Sequence, residues 1–182
     1  MGWWQESAAS RRLRQGQVIV HPTEGVFGLA CRALDSRACG IVGALKRRSP
    51  KQAFIIVVAD FRQIQSAVDL CQVDLAPISA SWPGPETWVF PATQLAPSWL
   101  TGVDGTIAVR VTGHAQFARL CTEVGPLVST SANPKGRQPA LNLLQARRYF
   151  GSSVDFYLGG NLAVPGRPSR IRVATSGLSL RP

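Results

Sequence analysis

The chain has 182 residues, of which 45% are hydrophobic and 16% are charged, and this composition excludes a disordered or fibrous protein. The length fits one domain, over residues 1–182, that can bury a hydrophobic core. Twenty Lys and Arg residues against ten Asp and Glu residues give a net charge of +10. This charge favours anionic partners such as nucleotides or nucleic acid, although a solvated basic surface would have the same composition.

The first third of the sequence predicts a helix, two strands and a second helix. The helix-permissive segment 6–15 ends at Gly16, and the β-branched segment "QVIVH" follows it as a strand. The segment "VFGLACRA" predicts the second strand. Asp35 and Ser36 can then cap a helix that ends in "LKRRSP".

The middle third predicts three strands. The continuous apolar run "AFIIVVA" is typical of a strand that is covered on both faces, and Asp60 can cap a short helix after it. We expect the segment 69–85 to be a helix that is broken at "WPGP", and then the strands "TWVFPA" and "TIAVRV".

The last third predicts two helices and four strands. "GHAQFARLCTEVG" has apolar residues at helical spacing and ends at Gly125, and "LLQARRYF" predicts the second helix. Strands are predicted at "PLVST", "VDFYLG", "RIRVA" and "LSLR". Helices that alternate with strands in this way predict an α/β (α+β) fold: a single domain with a twisted mixed parallel/antiparallel sheet flanked by helices.

The cysteines and the N-terminal segment indicate a reduced compartment. Cys31, Cys39, Cys71 and Cys121 form no CxxC pair and have no histidine at ligand spacing. We therefore predict buried free thiols rather than zinc ligands or disulfides. The sequence shows no signal peptide and no run of eighteen apolar residues, so we expect a cytoplasmic protein without membrane contact.

The segment "HPTEG" is the first candidate site. It places the hydroxyl of Thr23 and the carboxylate of Glu24 on a turn directly after a strand, where sheet proteins usually bind ligands. An ordinary turn would have the same spacing. His21 has no partner carboxylate or cysteine nearby in the sequence.

The segment "LKRRSPK" is the second candidate site. Lys46, Arg47, Arg48 and Lys51 lie between a helix end and a buried strand. The helix dipole alone would favour cations there. Alternatively, a bound anion such as a polyphosphate would relieve the repulsion among these four charges.

The segment "PLVSTSANPKGRQP" is the third candidate site. The strand ends in Ser129, Thr130, Ser131 and Asn133, and these precede Lys135 and Arg137. Small hydroxyl and amide groups can donate hydrogen bonds to phosphate or ribose oxygens. A serine–threonine turn with Asn133 in a left-handed conformation is the alternative.

Taken in order, these segments resemble the YrdC family, the threonylcarbamoyl-AMP synthases. "PTEGVFGL" is similar to the family's PTE(T/A)VYGL block, "KRR" to its KxR and "SWPGPETWVF" to its WPGPxT segment. "TIAVRV", "LVSTSAN", "PSRI" and the terminal "LRP" follow in family order. The resemblance spans nearly the whole chain. It is closest to the short bacterial form, so we expect the extra C-terminal domain of the longer members to be absent.

The resemblance implies a nucleotidyltransferase that joins L-threonine, bicarbonate and ATP into L-threonylcarbamoyladenylate and releases pyrophosphate, for the t6A modification of tRNA position 37. Mg²⁺ would accompany ATP. The implied partners are t6A transfer proteins of the TsaB/TsaD/TsaE type, and the basic surface leaves tRNA or double-stranded RNA open as a further partner. The alternative is an RNA-binding protein for structured RNA or tRNA without catalysis, which the charge and arginine clusters such as "RRLR" motivate.

The resemblance also implies roles for individual residues. Two cations are implied to be catalytic: Lys46 and Arg48. The implied ATP-binding residues are Lys46, Arg48, Thr106, Ser131, Asn133 and Arg181. The implied threonine-binding residues are Thr23, Arg110, Ser129 and Ser169. No protein metal site is implied, and Glu24 and Asp104 are guesses for any contact with Mg²⁺.

Three departures from the family pattern concern loop geometry. Ser49 stands where proline is usual in the KxRP block, and Pro50 follows it. Lys135 stands where a serine is common, and Val173 replaces a frequent acidic residue. We expect these changes to affect loop positions more than the reaction.

Overall fold

The helices and strands follow the predicted order along the chain. The structure is a computed structural model, and it describes residues 3–48, 53–166 and 169–181. Within this part of the chain the α-helices are α1 (Trp3–Arg14), α2 (Ser36–Lys46), α3 (Leu75–Ser81), α4 (Ala115–Val124) and α5 (Leu143–Phe150). Asp35 caps α2 by accepting a hydrogen bond from the Ala38 N–H, and Gly16 ends the first helical segment at φ 73°.

The described strands form one mixed sheet. They are β1 (Ile19–Pro22), β2 (Phe27–Arg32), β3 (Ile55–Val58), β4 (Glu86–Pro91), β5 (Thr106–Val111), β6 (Leu127–Ser131), β7 (Phe156–Tyr157), β8 (Arg170–Val173) and β9 (Ser179–Arg181). Their spatial order is β7-β1-β2-β6-β3-β5-β4-β8-β9. The pairs β1–β7, β3–β5 and β4–β8 are parallel and the other neighbours are antiparallel, so the predicted mixed sheet is confirmed.

Hydrophobic cores cover both faces of the middle of the sheet. In β3, Ile56 and Val58 belong to one buried cluster, whereas Val57 belongs to a second cluster with Phe117 and Leu127. This alternation explains why β3 has no polar residue, because Ile56, Val57 and Val58 all project into apolar packing. The central strands β3 and β6 are therefore held rigidly, and the polar end of β6 projects from a fixed base.

Two predictions about the segment 69–85 need correction. The helix there is shorter than predicted, because α3 comprises only Leu75–Ser81 and begins at its cap Asp74. The Asp69 carboxylate instead accepts a hydrogen bond from the backbone N–H of Cys71 and stabilises a turn. Cys71 is exposed on this turn, so the prediction that it is buried was wrong.

The other cysteines are buried and free, as predicted: Cys31, Cys39 and Cys121.

Several predictions fall outside the described residues, namely those on Ser49, Pro50, Lys51, Pro168 and Pro182. Val173, a departure from the family pattern, lies in β8 and pairs with Val89 of β4. Within the described segments, no helix has the length and hydropathy needed to cross a bilayer.

Candidate functional site

An open cavity of about 610 Å³ lies where the turn after β1 meets the ends of β5, β6, β8 and β9. Eight of the ten residues that the resemblance implied line this cavity: Thr23, Arg48, Thr106, Arg110, Ser129, Ser131, Ser169 and Arg181. The other two, Lys46 and Asn133, are not in its lining but contact the lining residue Ser131. The fold thus gathers all ten from five distant segments.

A buried ion pair forms one wall of the cavity. The Arg110 Nη2 atom lies 3.5 Å from the Glu24 Oε2 atom, and both side chains are nearly inaccessible to solvent. The other Glu24 oxygen accepts hydrogen bonds from the Thr112 hydroxyl at 2.7 Å and the Gly113 N–H at 3.1 Å. Burial alone would raise the pKa of Glu24, but the charge of Arg110 and the Thr112 hydroxyl outweigh it and lower the pKa below its ordinary value.

This ion pair is incompletely hydrogen-bonded. Among the described residues, the buried side-chain atoms without a hydrogen-bond partner include the Arg110 Nε and the Glu24 Oε2. An unpaired buried N–H of a guanidinium is unfavourable by roughly 1–3 kcal/mol or more. Arg110 lines the cavity, so an anionic group bound there would satisfy this N–H.

Three hydroxyl groups that line the same cavity differ in their hydrogen bonds. Thr23 donates its hydroxyl proton to the Val26 carbonyl at 2.7 Å, so it is a turn residue as well as a lining residue. The Ser129 Oγ lies 3.2 Å from a ring nitrogen of His21. The Ser169 Oγ accepts a hydrogen bond from Arg181 at 3.0 Å, and Arg181 also donates to the Ser169 carbonyl.

Lys46 connects the end of α2 to the end of β6. Its ammonium lies 2.7 Å from the carbonyl oxygens of Ser131 and Asn133, 2.8 Å from the Asn133 Oδ1 and 3.3 Å from the Ser131 Oγ. Burial, together with the nearby charge of Arg48, lowers the pKa of Lys46 to about 8. A phosphate that contacts Lys46 would have to replace one of these oxygens.

Two of the implied nucleotide-binding residues, Arg48 and Thr106, line the cavity and already have protein partners. Arg48 is half-buried, donates to the Ala53 carbonyl and lies with its guanidinium carbon 4.9 Å from the Phe54 ring centre. Thr106 donates to the Asp104 carboxylate at 2.8 Å. The cavity is lined by three arginines against two carboxylates, so its lining is cationic.

Three further predicted cations are exposed and lie outside the cavity lining. Arg47 is exposed at the C-terminal cap of α2 with φ 48°, and Lys135 and Arg137 are exposed beyond β6. Asn133 does not adopt the left-handed conformation of the alternative, since Arg47 is the non-glycine residue with positive φ in the described chain.

Sequence reasoning missed two residues that shape the cavity and the main contact of a third. Glu24 was predicted as part of the first candidate site and as a guess for Mg²⁺, but its pairing with Arg110 was not predicted. Thr112 orients Glu24 from 88 residues away. A Cβ atom at Gly28 would lie 2.9 Å from the His21 Nε2 and 3.1 Å from the Ser129 Oγ, so this position needs glycine. These contacts leave no local sequence signal.

Comparisons with known proteins agree with this arrangement. The Sua5_yciO_yrdC family model, described as "Telomere recombination", matches residues 11–181. A Nitrosococcus oceani protein named threonylcarbamoyl-AMP synthase is 46% identical over 180 residues, which are 98% of this chain and 97% of the relative. A Pseudomonas fluorescens protein of the same name is 42% identical over 180 residues, with 98% and 97% coverage.

The fold is also similar to that of solved structures. The Sua5 protein of P. abyssi, solved as an H234A/Y235A variant, superposes with a TM-score of 0.90 at 28% identity. That match covers all of this chain and 57% of the P. abyssi chain, so this chain spans little more than half of that protein. A second P. abyssi Sua5 structure, complexed with L-threonine, gives a TM-score of 0.87 at 26% identity and covers 98% and 53% of the two chains.

Proposed function

The chain belongs to the Sua5–YciO–YrdC family, and we propose that it is the enzyme that makes threonylcarbamoyl-AMP from L-threonine, bicarbonate and ATP. Relatives that match nearly its full length bear the name of this activity. A structural neighbour binds L-threonine, one of the three substrates. The alternative of an RNA-binding protein without catalysis has no comparable support.

The incompletely hydrogen-bonded pair of Arg110 and Glu24 is the observation that carries this function. An α-amino acid has a carboxylate that can accept from the Arg110 Nε, which has no hydrogen-bond partner. Its amine can donate to the Glu24 Oε2, which lies in the ion pair with Arg110 but accepts no hydrogen bond. Both groups are buried, so these hydrogen bonds would form away from competing water. Thr23, Ser129 and Ser169 complete the threonine site in this proposal.

ATP would lie along the remaining wall of the cavity. Arg48 and Arg181 supply positive charge, Thr106 and Ser131 supply hydroxyl groups, and Lys46 stands behind Ser131. Cations in these positions would stabilise the charge that develops on the phosphoryl oxygens and on departing pyrophosphate.

Magnesium would accompany the phosphates rather than occupy a protein cage. Within the described residues, no group of three His, Cys, Asp or Glu side chains could hold a metal ion. Mg²⁺ bound to nucleotides keeps most of its water and needs only one or two carboxylates. Asp104 fits this requirement because it lines the cavity and is exposed, whereas Glu24 is engaged by Thr112 and Arg110. When bound, Mg²⁺ would offset phosphate charge.

The proposed reaction has two steps that need the substrates to be close together. The threonine amine attacks the carbon of bicarbonate, and loss of water leaves a carbamate. A carbamate oxygen then attacks the α-phosphorus of ATP, and the bond from that phosphorus to the bridging oxygen breaks to release pyrophosphate. Holding the amino acid and nucleotide in one cavity replaces unfavourable encounters in solution.

A pyrophosphate-release assay tests this function. Release from ATP should require both L-threonine and bicarbonate, and mass spectrometry should detect the threonylcarbamoyl adenylate. Robust release without threonine would refute the proposal, as would no release with all three substrates and Mg²⁺.

The product would pass to t6A transfer proteins of the TsaB/TsaD/TsaE type in the cytoplasm, for modification of tRNA position 37. The net charge of +10 would assist an encounter with tRNA or another double-stranded RNA. Salt-sensitive binding of tRNA by the isolated protein would support this direct contact, and binding that does not change with salt would contradict it.

A further inference from the structure

His21 is a buried residue beside the cavity to which the sequence assigned no role. It lies in β1, is fully buried and stacks on the Phe117 ring with the ring centres 3.8 Å apart. Its Nδ1 atom is 2.9 Å from the Pro22 carbonyl oxygen, and its Nε2 atom is 3.2 Å from the Ser129 Oγ. His21 is not part of the cavity lining, but Ser129 is.

These two contacts determine where the imidazole proton resides. Burial lowers the pKa of His21 to about 3, so the ring is neutral at physiological pH and has one N–H. A carbonyl oxygen can only accept a hydrogen bond, and therefore the Nδ1 atom must carry the proton. The Nε2 atom then has a lone pair and accepts a hydrogen bond from the Ser129 hydroxyl.

The state of His21 thereby determines how Ser129 faces the cavity. A serine hydroxyl has one proton and two lone pairs. Because the proton is donated to His21, Ser129 can offer only lone pairs to a ligand. Gly28 allows this arrangement, since a Cβ atom there would come within 2.9 Å of the His21 Nε2 and 3.1 Å of the Ser129 Oγ.

We propose that His21 is a positioning residue that makes Ser129 a hydrogen-bond acceptor for an N–H or O–H donor of the amino-acid substrate. The inference rests on the proposed function, because it takes L-threonine as the ligand. Arg110 has the unpaired donor that suits the substrate carboxylate, whereas Ser129 suits the amine or the β-hydroxyl. The two sides of the site therefore have opposite hydrogen-bonding character and orient the amino acid.

The protonation of His21 can be measured directly in the unmodified protein. The chain has two histidines, and His114 has the opposite arrangement: its Nε2 atom lies 2.9 Å from the Asn161 carbonyl and its Nδ1 atom accepts from the Phe117 N–H. Nitrogen-15 NMR of histidine-labelled protein at about pH 8, where an ordinary histidine is neutral, should show one Nδ1–H and one Nε2–H tautomer. A His114→Gln variant assigns the signals. An Nε2–H tautomer at His21 would overturn the inference.

Variants then test whether His21 acts through Ser129. His21→Phe keeps a ring against Phe117 but removes the acceptor. Calorimetry with L-threonine should show affinity weakened about 5- to 30-fold, as expected for one lost hydrogen bond, and the KM for ATP should change less than twofold. The double variant His21→Phe/Ser129→Ala should bind no more weakly than Ser129→Ala alone. Losses that multiply, or unchanged affinity in His21→Phe, would refute the coupling.

Matched controls separate this role from packing. Phe117→Leu removes the stacked ring but keeps both hydrogen bonds of His21, so it should lower the melting temperature and leave the affinity for L-threonine unchanged. An equal loss of affinity in Phe117→Leu and His21→Phe would mean that His21 has only a packing role. Wild-type protein that binds no L-threonine would refute the proposed function itself, whatever tautomer His21 has.

Analogues identify the donor that Ser129 meets. L-2-aminobutyrate keeps the amine and lacks the hydroxyl. If Ser129 accepts from the hydroxyl, Ser129→Ala should abolish the preference for L-threonine over this analogue. If Ser129 accepts from the amine, Ser129→Ala should weaken both ligands equally. Unchanged affinity for both ligands would overturn the inference.

Discussion

Replacing Arg110 should separate its contribution to folding from its contribution to substrate binding. Arg110→Gln removes the cation that lies 3.5 Å from the Glu24 carboxylate and leaves this carboxylate buried. Loss of one partner from a buried ion pair destabilises a protein by about 3–5 kcal/mol. Glu24 keeps its hydrogen bonds from Thr112 and Gly113, so we expect the lower end of this range.

A second substitution should restore the fold but not the binding of L-threonine. In Glu24→Gln/Arg110→Gln both buried charges are absent, and the amide oxygen introduced by Glu24→Gln can still accept from Thr112 and Gly113. We expect stability within about 1 kcal/mol of the wild type, because replacing a whole buried ion pair is often neutral. The affinity for L-threonine should stay about 30-fold or more below that of the wild type, since its carboxylate lacks a charged partner.

Thermal unfolding and calorimetry measure the two effects separately. A loss of about 3 kcal/mol should lower the melting temperature of Arg110→Gln by roughly 6–12 °C at this chain length. The control is Arg62→Gln, which removes an exposed arginine paired with Asp60 and should change neither quantity. If the double variant regains both stability and affinity for L-threonine, Arg110 serves only the fold and its assignment to the substrate is wrong.

Three further predictions follow from the same contacts. Gly28→Ala should raise the KM for L-threonine and destabilise the protein by about 1–3 kcal/mol in thermal unfolding, because its Cβ would crowd Ser129; wild-type behaviour would contradict the close packing. Lys46→Ala should abolish pyrophosphate release while circular dichroism shows an intact fold, and near-normal activity of this variant would exclude the assignment of Lys46 to ATP. In the wild type, the KM for ATP should rise above about pH 8, because Lys46 loses its proton there. The folded protein lowers the pKa of Glu24, so the pairing with Arg110 stabilises the fold above pH 4.5, and this stabilisation is lost as the pH falls through the folded pKa. Acid denaturation of Glu24→Gln/Arg110→Gln should show no such loss.

The order of elements could be predicted because local patterns determine it. Helix α2 begins at its predicted cap Asp35, α4 ends before its predicted stop Gly125, and the apolar β3 is covered on both faces as its composition indicates. The segment 69–85 was mispredicted because Asp69 and Asp74 compete for the role of cap. A carboxylate stabilises a turn and a helix start by the same hydrogen bond to a backbone N–H, so local sequence does not distinguish them.

The site could be predicted only where residues match a family pattern. The order of motifs assigned ten residues to one site, and the fold brings their segments together around one cavity. The partners that determine the chemistry of these residues were not predictable. His21 and Ser129 are 108 residues apart, and Glu24 and Thr112 are 88 apart. Such pairs form through the strand order of a mixed sheet, which local propensity does not specify.

The strand β6 explains how one segment can serve two substrates in the proposed reaction. Ser129 and Ser131 are two residues apart, so their side chains lie on the same face of the sheet, about 7 Å apart along the strand. Ser129 pairs with Ala30 of β2 and with Ile55 of β3, so it is fixed from both sides.

Ser131 lies beyond the last residue of β6 that pairs with β3, and there the ammonium of Lys46 takes the place of a neighbouring strand by donating to the Ser131 carbonyl. One serine therefore faces the cavity beside a neutral imidazole, and the other beside a cation. The first environment suits a donor of the amino acid, and the second suits a phosphate oxygen. The two serine side chains lie about 7 Å apart. This distance is of the order of the span from an amino acid through a carbamate to the α-phosphorus. A rigid strand end would therefore hold the two substrates within reach of each other.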